Sequence, residues 1–423
     1  MAEESVLSDE VIRQLINVGE ADLLVAVPTH NDAKTIGGVV QAVRLGLLRG
    51  FPRERTVLMN TDADSRDGSR ELVLQASTTL PPDAAVQSLR TFHTVTAVCG
   101  NGTQTPSALR PVLAAADLMQ VKACAVVSPS EHVTPEWMER LLAPVYRRDF
   151  DLVTPLYCRN KFDGLLIKLL LFPMVRALWG KRIHEPYSSN FAFSGRLGAD
   201  LFTRDELWQS DAGEIGEPLL LSLSAVIHGY KPCEVFLGQK EVVGQTTDLV
   251  PALRQTVGIM FRLLDSDASW RTSNGSEAVP SEGPQAEIAC DPVQINPQRM
   301  LAMFQSGVAD LESVLASILT QNTLAELHSA AALGEEQFRF SDDLWARAVY
   351  EFAAAYHKSV ISRDHILQAL APLYRGKAYE FITTNSQADS AEVESGIEAL
   401  CVTFERLKPL LLQLWDGAEG GTA

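Results

Sequence analysis

The chain has 423 residues, of which 46% are hydrophobic and 21% charged, with 36 basic against 53 acidic side chains and a formal net charge of −17. That length holds one large α/β domain and a smaller second unit, and the composition excludes a disordered or fibrous chain. The negative charge excludes general attraction to nucleic acid or anionic lipid, both polyanions, and points to a small-molecule ligand.

Met1-Ala2-Glu3-Glu4 puts acids where a signal peptide carries Lys or Arg before an apolar core, so a cytoplasmic protein is expected. The run Leu23-Leu24-Val25-Ala26-Val27, closed by Pro28, reads as a strand buried on both faces. Ile36, Val39, Val40, Val43 and Leu47 then recur at helical spacing, with Asp32 or Thr35 as a cap. Thr56-Val57-Leu58-Met59 predicts a second strand, ended by a polar turn over residues 60–69 and a helix from about Arg70. Such a βαβα opening predicts a mostly parallel sheet that binds ligands at the carboxyl ends of its strands. Further strands are expected over 94–98, 123–127, 152–154 and 232–237, and helices from Glu136 and over 165–179 and 219–227. The stretch 165–179 is interrupted by Lys168, Pro173 and Arg176, too short and charged to span a bilayer, and reads as a buried amphipathic helix with a break. Residues 266–298 are rich in Ser, Gly, Pro and acids, marking a linker between a domain over 1–265 and a helical domain over 299–423. In the latter, helical stripes run through 301–319, 344–356, 365–373 and 393–414. Cys99, Cys124, Cys158, Cys233, Cys290 and Cys401 form no Cys-x-x-Cys pair and read as reduced thiols, not a zinc site.

The turn Pro28-Thr29-His30-Asn31-Asp32 offers amides and polar side chains at a helix start, suited to a nucleobase or phosphate; the same pattern also makes an ordinary capped βα loop. Asp62, Asp64 and Asp67 crowd carboxylates at the end of the second strand, suited to ribose hydroxyls or a cation, or equally to a solvated acidic loop. His228 reads as a core or boundary residue, and Trp179, Trp208 and Trp345 as packing residues.

Both turns resemble the opening motifs of glycosyltransferases with the GT-A fold. Downstream, Thr134-Pro135-Glu136-Trp137, Pro155-Leu156-Tyr157, Arg159-Asn160-Lys161-Phe162-Asp163-Gly164, Gly180-Lys181-Arg182-Ile183, Phe191-Ala192-Phe193-Ser194-Gly195 and Phe236-Leu237-Gly238 are similar to blocks of the bacterial glucosylglycerate and glucosyl-3-phosphoglycerate synthase group. Glu351-Phe352-Ala353-Ala354-Ala355-Tyr356-His357 and Pro372-Leu373-Tyr374-Arg375-Gly376 resemble its helical extension. The resemblance implies a nucleotide-diphosphate hexose donor, a glycerate-like acceptor and Mg2+ or Mn2+ held by an Asp-x-Asp motif. It assigns the nucleotide to Pro28, Thr29, Asn31, Asp62 and Asp64, and the acceptor to the loop of Ser188, Ser189 and Asn190; Lys161, Lys181 and Arg182 are fixed cations suited to an acceptor carboxylate, or equally solvated helix-end charges.

The chain departs from that pattern where the chemistry sits. The strand that should close with Asp-x-Asp ends Ser128-Pro129-Ser130-Glu131-His132, leaving Glu131 and His132 as the metal candidates, and an unmetallated loop is expected. The Gly-Lys-Gly loop is Gln104-Thr105-Pro106, with Arg110 as a substitute cation. The acidic acceptor loop is Pro186-Tyr187-Ser188-Ser189-Asn190; the later acid falls near Glu217 and the metal-binding His near Glu241-Val242. Losing the cation and the phosphate-facing Lys removes several kcal/mol of leaving-group stabilisation. Two expectations therefore stand side by side: a hexosyltransferase, or a catalytically degenerate homologue that binds, regulates or assembles, as a homodimer or with an active paralogue. A nucleotidyltransferase is disfavoured, because 28–34 lacks a Gly-rich phosphate loop.

Overall fold

Strand β1 (Leu23–Thr29) sets the architecture because its apolar residues serve two cores at once. Leu24 and Ala26 enter one buried cluster, and Leu23, Val25 and Val27 enter the other, so the period of two sends alternate side chains to opposite faces. The computed structural model describes residues 6–78, 92–98, 107–208, 216–240, 249–283 and 296–417. Before β1 comes α1 (Asp9–Val18), capped by Ser8. After it follow α2 (Ile36–Gly50), β2 (Thr56–Asp62), α3 (Ser69–Thr78), β3 (Phe92–Val98), α4 (Leu109–Leu118), β4 (Ala123–Val126), α5 (Glu136–Arg148) and β5 (Leu152–Cys158). A π-helical segment, Ile167–Leu171, runs into α6 (Phe172–Trp179) and the short β6 (Lys181–Arg182). Next come β7 (Phe191–Ser194), α7 (Gly195–Phe202), α8 (Asp205–Trp208), α9 (Glu217–Ile227) and β8 (Pro232–Gln239). The chain ends through α10 (Leu249–Leu253), α11 (Ile259–Ser266), α12 (Ser269–Thr272), β9 (Glu277–Ala278), β10 (Ser281–Glu282) and α13 to α18, which span Pro297–Asp310, Glu312–Ile318, Gln321–Ala331, Asp342–Lys358, Arg363–Thr384 and Ser390–Asp416.

Two compact units share the chain, the first comprising Met1–Cys158, Tyr187–Thr246 and Val279–Ile288 and the second Arg159–Pro186, Thr247–Ala278 and Ala289–Ala423. They interleave, so no single boundary at 266–298 separates them; within that stretch 269–272 is helical and 277–278 and 281–282 are strands.

The first unit carries an eight-stranded sheet in the order β10-β8-β5-β7-β4-β1-β2-β3. Its pairings are parallel except for β7, which runs antiparallel to both β4 and β5. Helices α1, α4 and α7 cover one face, and α2, α3 and α5 the other. The chain leaves β1 toward β2 through α2 but reaches β4, on the other side of β1, through α4 on the opposite face. The crossovers therefore diverge at β1, which opens a crevice at the carboxyl edge there. Antiparallel β7 starts at that edge, so the segment preceding it, not following it, joins the crevice.

The second unit is mainly helical. Where a break is expected over 165–179, the helix instead runs on through its π-helical segment into α6; Pro173 has no N–H to donate to the Leu169 carbonyl four residues back, and that carbonyl accepts from Trp345 Nε1 at 2.8 Å. The stripe over 301–319 divides at Leu311 into α13 and α14. Buried Arg176 joins α6 to α18, with Nε donating to Glu405 Oε1 at 2.7 Å and Nη1 to Glu398 Oε2 at 2.5 Å. Among the described residues Cys124, Cys233 and Cys401 are free thiols, and no helix is long and apolar enough to cross a membrane.

Candidate functional site

The two polar turns at the ends of β1 and β2 are laced together by their own side chains. Asp62 is fully buried; its Oδ2 accepts from Thr29 Oγ1 at 2.9 Å, its Oδ1 accepts from Ser65 N at 2.9 Å, and Arg70 stands 3.4 Å away. Asn31 sits in the left-handed region at φ 59°, which lets its amide donate to Ser65 Oγ while its Oδ1 accepts from Arg66 N at 3.0 Å. Asp67 accepts from Ala33 N at 2.9 Å and from Ser69 Oγ at 2.6 Å. Asp64, also left-handed, pairs with Arg66 at 3.6 Å on the surface. Asp62 and Asp67 thus hold the turns in register, and Asp32 lines the neighbouring cavity. Burial first, then the charges of Asp67 and Asp62, raise its pKa above the usual carboxylate range.

That space is a cavity of about 400 Å3 at the carboxyl edge beside β1. One wall is Pro28, Thr29, His30 and Thr61; another is the start of α4 with Ala108 and Leu109; Ser128 and Ser130 after β4 close a third. Ser189 and Phe191 at the start of β7 and Glu217 at the start of α9 complete it. Two buried polar atoms in this lining make no hydrogen bond: Thr61 Oγ1 and Glu217 Oε1. Both residues belong to this lining, which makes the crevice the candidate ligand site. Glu217 Oε2 accepts from Leu109 N at 2.9 Å, yet burial pushes its carboxyl up to about 7, against the pull of Ser107 and the amides of Leu109 and Ala108.

The remaining expected residues are accounted for locally. Asn190 is buried, its Oδ1 accepting from Ser128 N and its Nδ2 donating to Tyr157 Oη, both at 2.8 Å, and Ser188 Oγ accepts from Asn190 N at 3.2 Å. Of the acceptor set, Ser189 lines the cavity. Lys161, in the second unit, gives its ammonium to the carbonyls of Asn385, Ser386 and Ala388 and so closes the end of α17. Lys181 pairs with Glu277, and Arg182 donates to Ser276 Oγ at 2.6 Å and to Glu398 Oε1 at 3.3 Å. These three cations are corrected to structural roles within the second unit. Gln104-Thr105-Pro106 and Glu241-Val242 lie outside the described residues.

No family model matches the chain, and no curated protein does. Among solved structures it is similar to glucosyl-3-phosphoglycerate synthase from Mycobacterium tuberculosis in complex with Mn2+, uridine diphosphate and glucosyl-3-phosphoglycerate, at 16% identity and a TM-score of 0.41, over 60% of this chain and 82% of that one. The complex of that enzyme with Mg2+ and uridine diphosphate gives 16% identity and a TM-score of 0.42 over 60% and 82%. A mycobacterial protein gives 17% and 0.41 over 60% and 77%. Likenesses of this size transfer neither ligand nor activity to this chain.

The donor set after β4 does not fit a divalent cation. Ser128 and Ser130 supply hydroxyls, His132 is exposed, and Glu131 Oε1 lies 2.9 Å from Lys240 Nζ. Among the described residues no three or more His, Cys, Asp or Glu gather where they could hold a metal. Sequence reasoning missed Thr61 and Lys240. Nothing local marks Lys240, whose partner lies 109 residues away.

Proposed function

We propose that this protein takes a nucleotide sugar into the cavity beside β1 and transfers its hexose to a small, polar, glycerate-like acceptor, as a GT-A-type glycosyltransferase. The turn of Pro28, Thr29 and Asn31, held by Asp62 and followed by Asp64 in the adjoining turn, is the nucleotide side, and Ser189 belongs to the acceptor side. The observation that carries this reading is Glu217: a carboxyl with an unpartnered oxygen in the cavity wall, and with a pKa of about 7. Such a group holds a proton and releases it near neutral pH, which suits hydroxyl chemistry in a water-poor site. The test is release of nucleoside diphosphate from UDP-, GDP- or ADP-glucose in the presence of glycerate or 3-phosphoglycerate. Glu217→Gln is expected to lower transfer by roughly 100-fold while donor binding persists, since removing a general acid or base costs about 10²–10⁴ in rate. Unchanged turnover in that variant removes Glu217 from the reaction.

A second reading, a degenerate homologue that binds the ligand without turning it over, has its own support. No Lys or Arg is among the described residues lining the cavity, so the departing diphosphate has no cation at the wall. Donor binding without diphosphate release, with either acceptor present, would select that reading.

A further inference from the structure

We propose that the Glu131–Lys240 ion pair takes the place of a metal site at the loop after β4, so that the cavity takes its nucleotide ligand without metal. The inference rests on the nucleotide reading above for the identity of the ligand, but the metal indifference is testable apart from it.

The pair sits directly behind the loop at the carboxyl end of β4, where Ser128 and Ser130 face the cavity. Glu131 is the acid left in that loop and is 5% exposed. Its partner Lys240, immediately after β8, has a side chain 11% exposed, so both charges are withdrawn from water together. The ammonium also lies 4.6 Å from the centre of the Tyr157 ring. Tyr157 Oη accepts from Asn190 Nδ2, and Asn190 Oδ1 accepts from Ser128 N. Ammonium, ring, amide and loop are one connected group that reaches the cavity lining at Ser128.

This arrangement explains the donor set chemically. A hard divalent ion takes six or so oxygens, charged ones among them. Here one oxygen of the carboxylate is engaged by an ammonium, and the other, Oε2, is buried without a partner among the described residues. A divalent ion brought to Oε2 would meet the Lys240 charge in a poorly screened setting. The ammonium neutralises the one carboxylate that would otherwise draw a cation to the loop.

The experiment uses the full-length protein with Mn2+ as probe, following bound Mn2+ by electron paramagnetic resonance and UDP-glucose affinity by calorimetry, with Mn2+ or with EDTA. The wild type is expected to bind no Mn2+ and to hold UDP-glucose equally in both buffers, whereas a bridging metal would tighten binding by roughly 100-fold. Lys240→Met leaves the Glu131 carboxylate uncompensated and is expected to gain Mn2+ binding, which Glu131→Gln added to it abolishes. Lys240→Arg, which keeps the charge, is expected to stay indifferent and serves if Lys240→Met does not fold. Mn2+ bound by the wild type and lost in Glu131→Gln overturns the proposal. Failure of UDP-glucose to bind in either buffer instead removes the nucleotide reading, while the Mn2+ signal still decides this one.

Discussion

Glu217 ties stability to pH in a direction opposite to most carboxylates. Its carboxyl is raised from 4.5 to about 7 by burial, so between those values the unfolded chain has ionised and the folded chain has not. The folded state then binds more protons, and stability falls as pH climbs through that window, levelling once both forms are ionised. Glu217→Gln removes this slope; relative to wild type it is expected to gain up to about 3 kcal/mol between pH 4.5 and pH 8, read from urea midpoints. A difference between the two that does not change with pH would mean the carboxyl is not held neutral. Asp62 contributes as a buried acceptor for Thr29 and Ser65. Asp62→Ala is expected to cost roughly 2–4 kcal/mol and to abolish the thermal shift given by nucleotide sugar while leaving a folded protein. Its role was legible only in part: the clustered acids were visible in the sequence, but their use in lacing two turns depends on Thr29 meeting Asp62 and Asn31 meeting Ser65, 33 and 34 residues apart in the chain.

At the scale of elements, most of the first unit could be read from periodicity, because strands buried on both faces leave unbroken apolar runs. Expected strands at 94–98, 123–127, 152–154 and 232–237 correspond to β3, β4, β5 and β8, with β3 beginning two residues earlier and β5 running four residues further. The antiparallel β7 was not legible, since Phe191-Ala192-Phe193-Ser194 is short and its direction follows from where the chain returns. Helix α15 was hidden too: its start is fixed by buried Glu351, which accepts from Thr320 N, Thr320 Oγ1 and Thr323 Oγ1. A close approach between α2 and α5 gives a sharp test. A Cβ on Gly46 would lie 2.2 Å from the Pro135 carbonyl oxygen and 2.7 Å from Met138 Cγ. Gly46→Ala, although favourable for an isolated helix, is expected to destabilise by about 1–3 kcal/mol, checked by the denaturation midpoint.

Over the whole molecule, charge and topology point to the same kind of ligand. A chain of net charge −17 has no general attraction for polyanions, so affinity for an anionic nucleotide has to come from one shaped site. The diverging crossovers at β1 supply a crevice for that site, lined by Thr61 and Glu217 among others. Ser189, exposed at the cavity rim, allows the cavity to be filled without disturbing a core. The most direct test is calorimetric titration of UDP-, GDP- and ADP-glucose, in EDTA, into the wild type and Ser189→Trp. At least one nucleotide sugar is expected to bind the wild type and to lose that binding in Ser189→Trp, at unchanged thermal stability of the free protein. Binding of none of the three, or equal binding to both proteins, would contradict the assignment of the cavity.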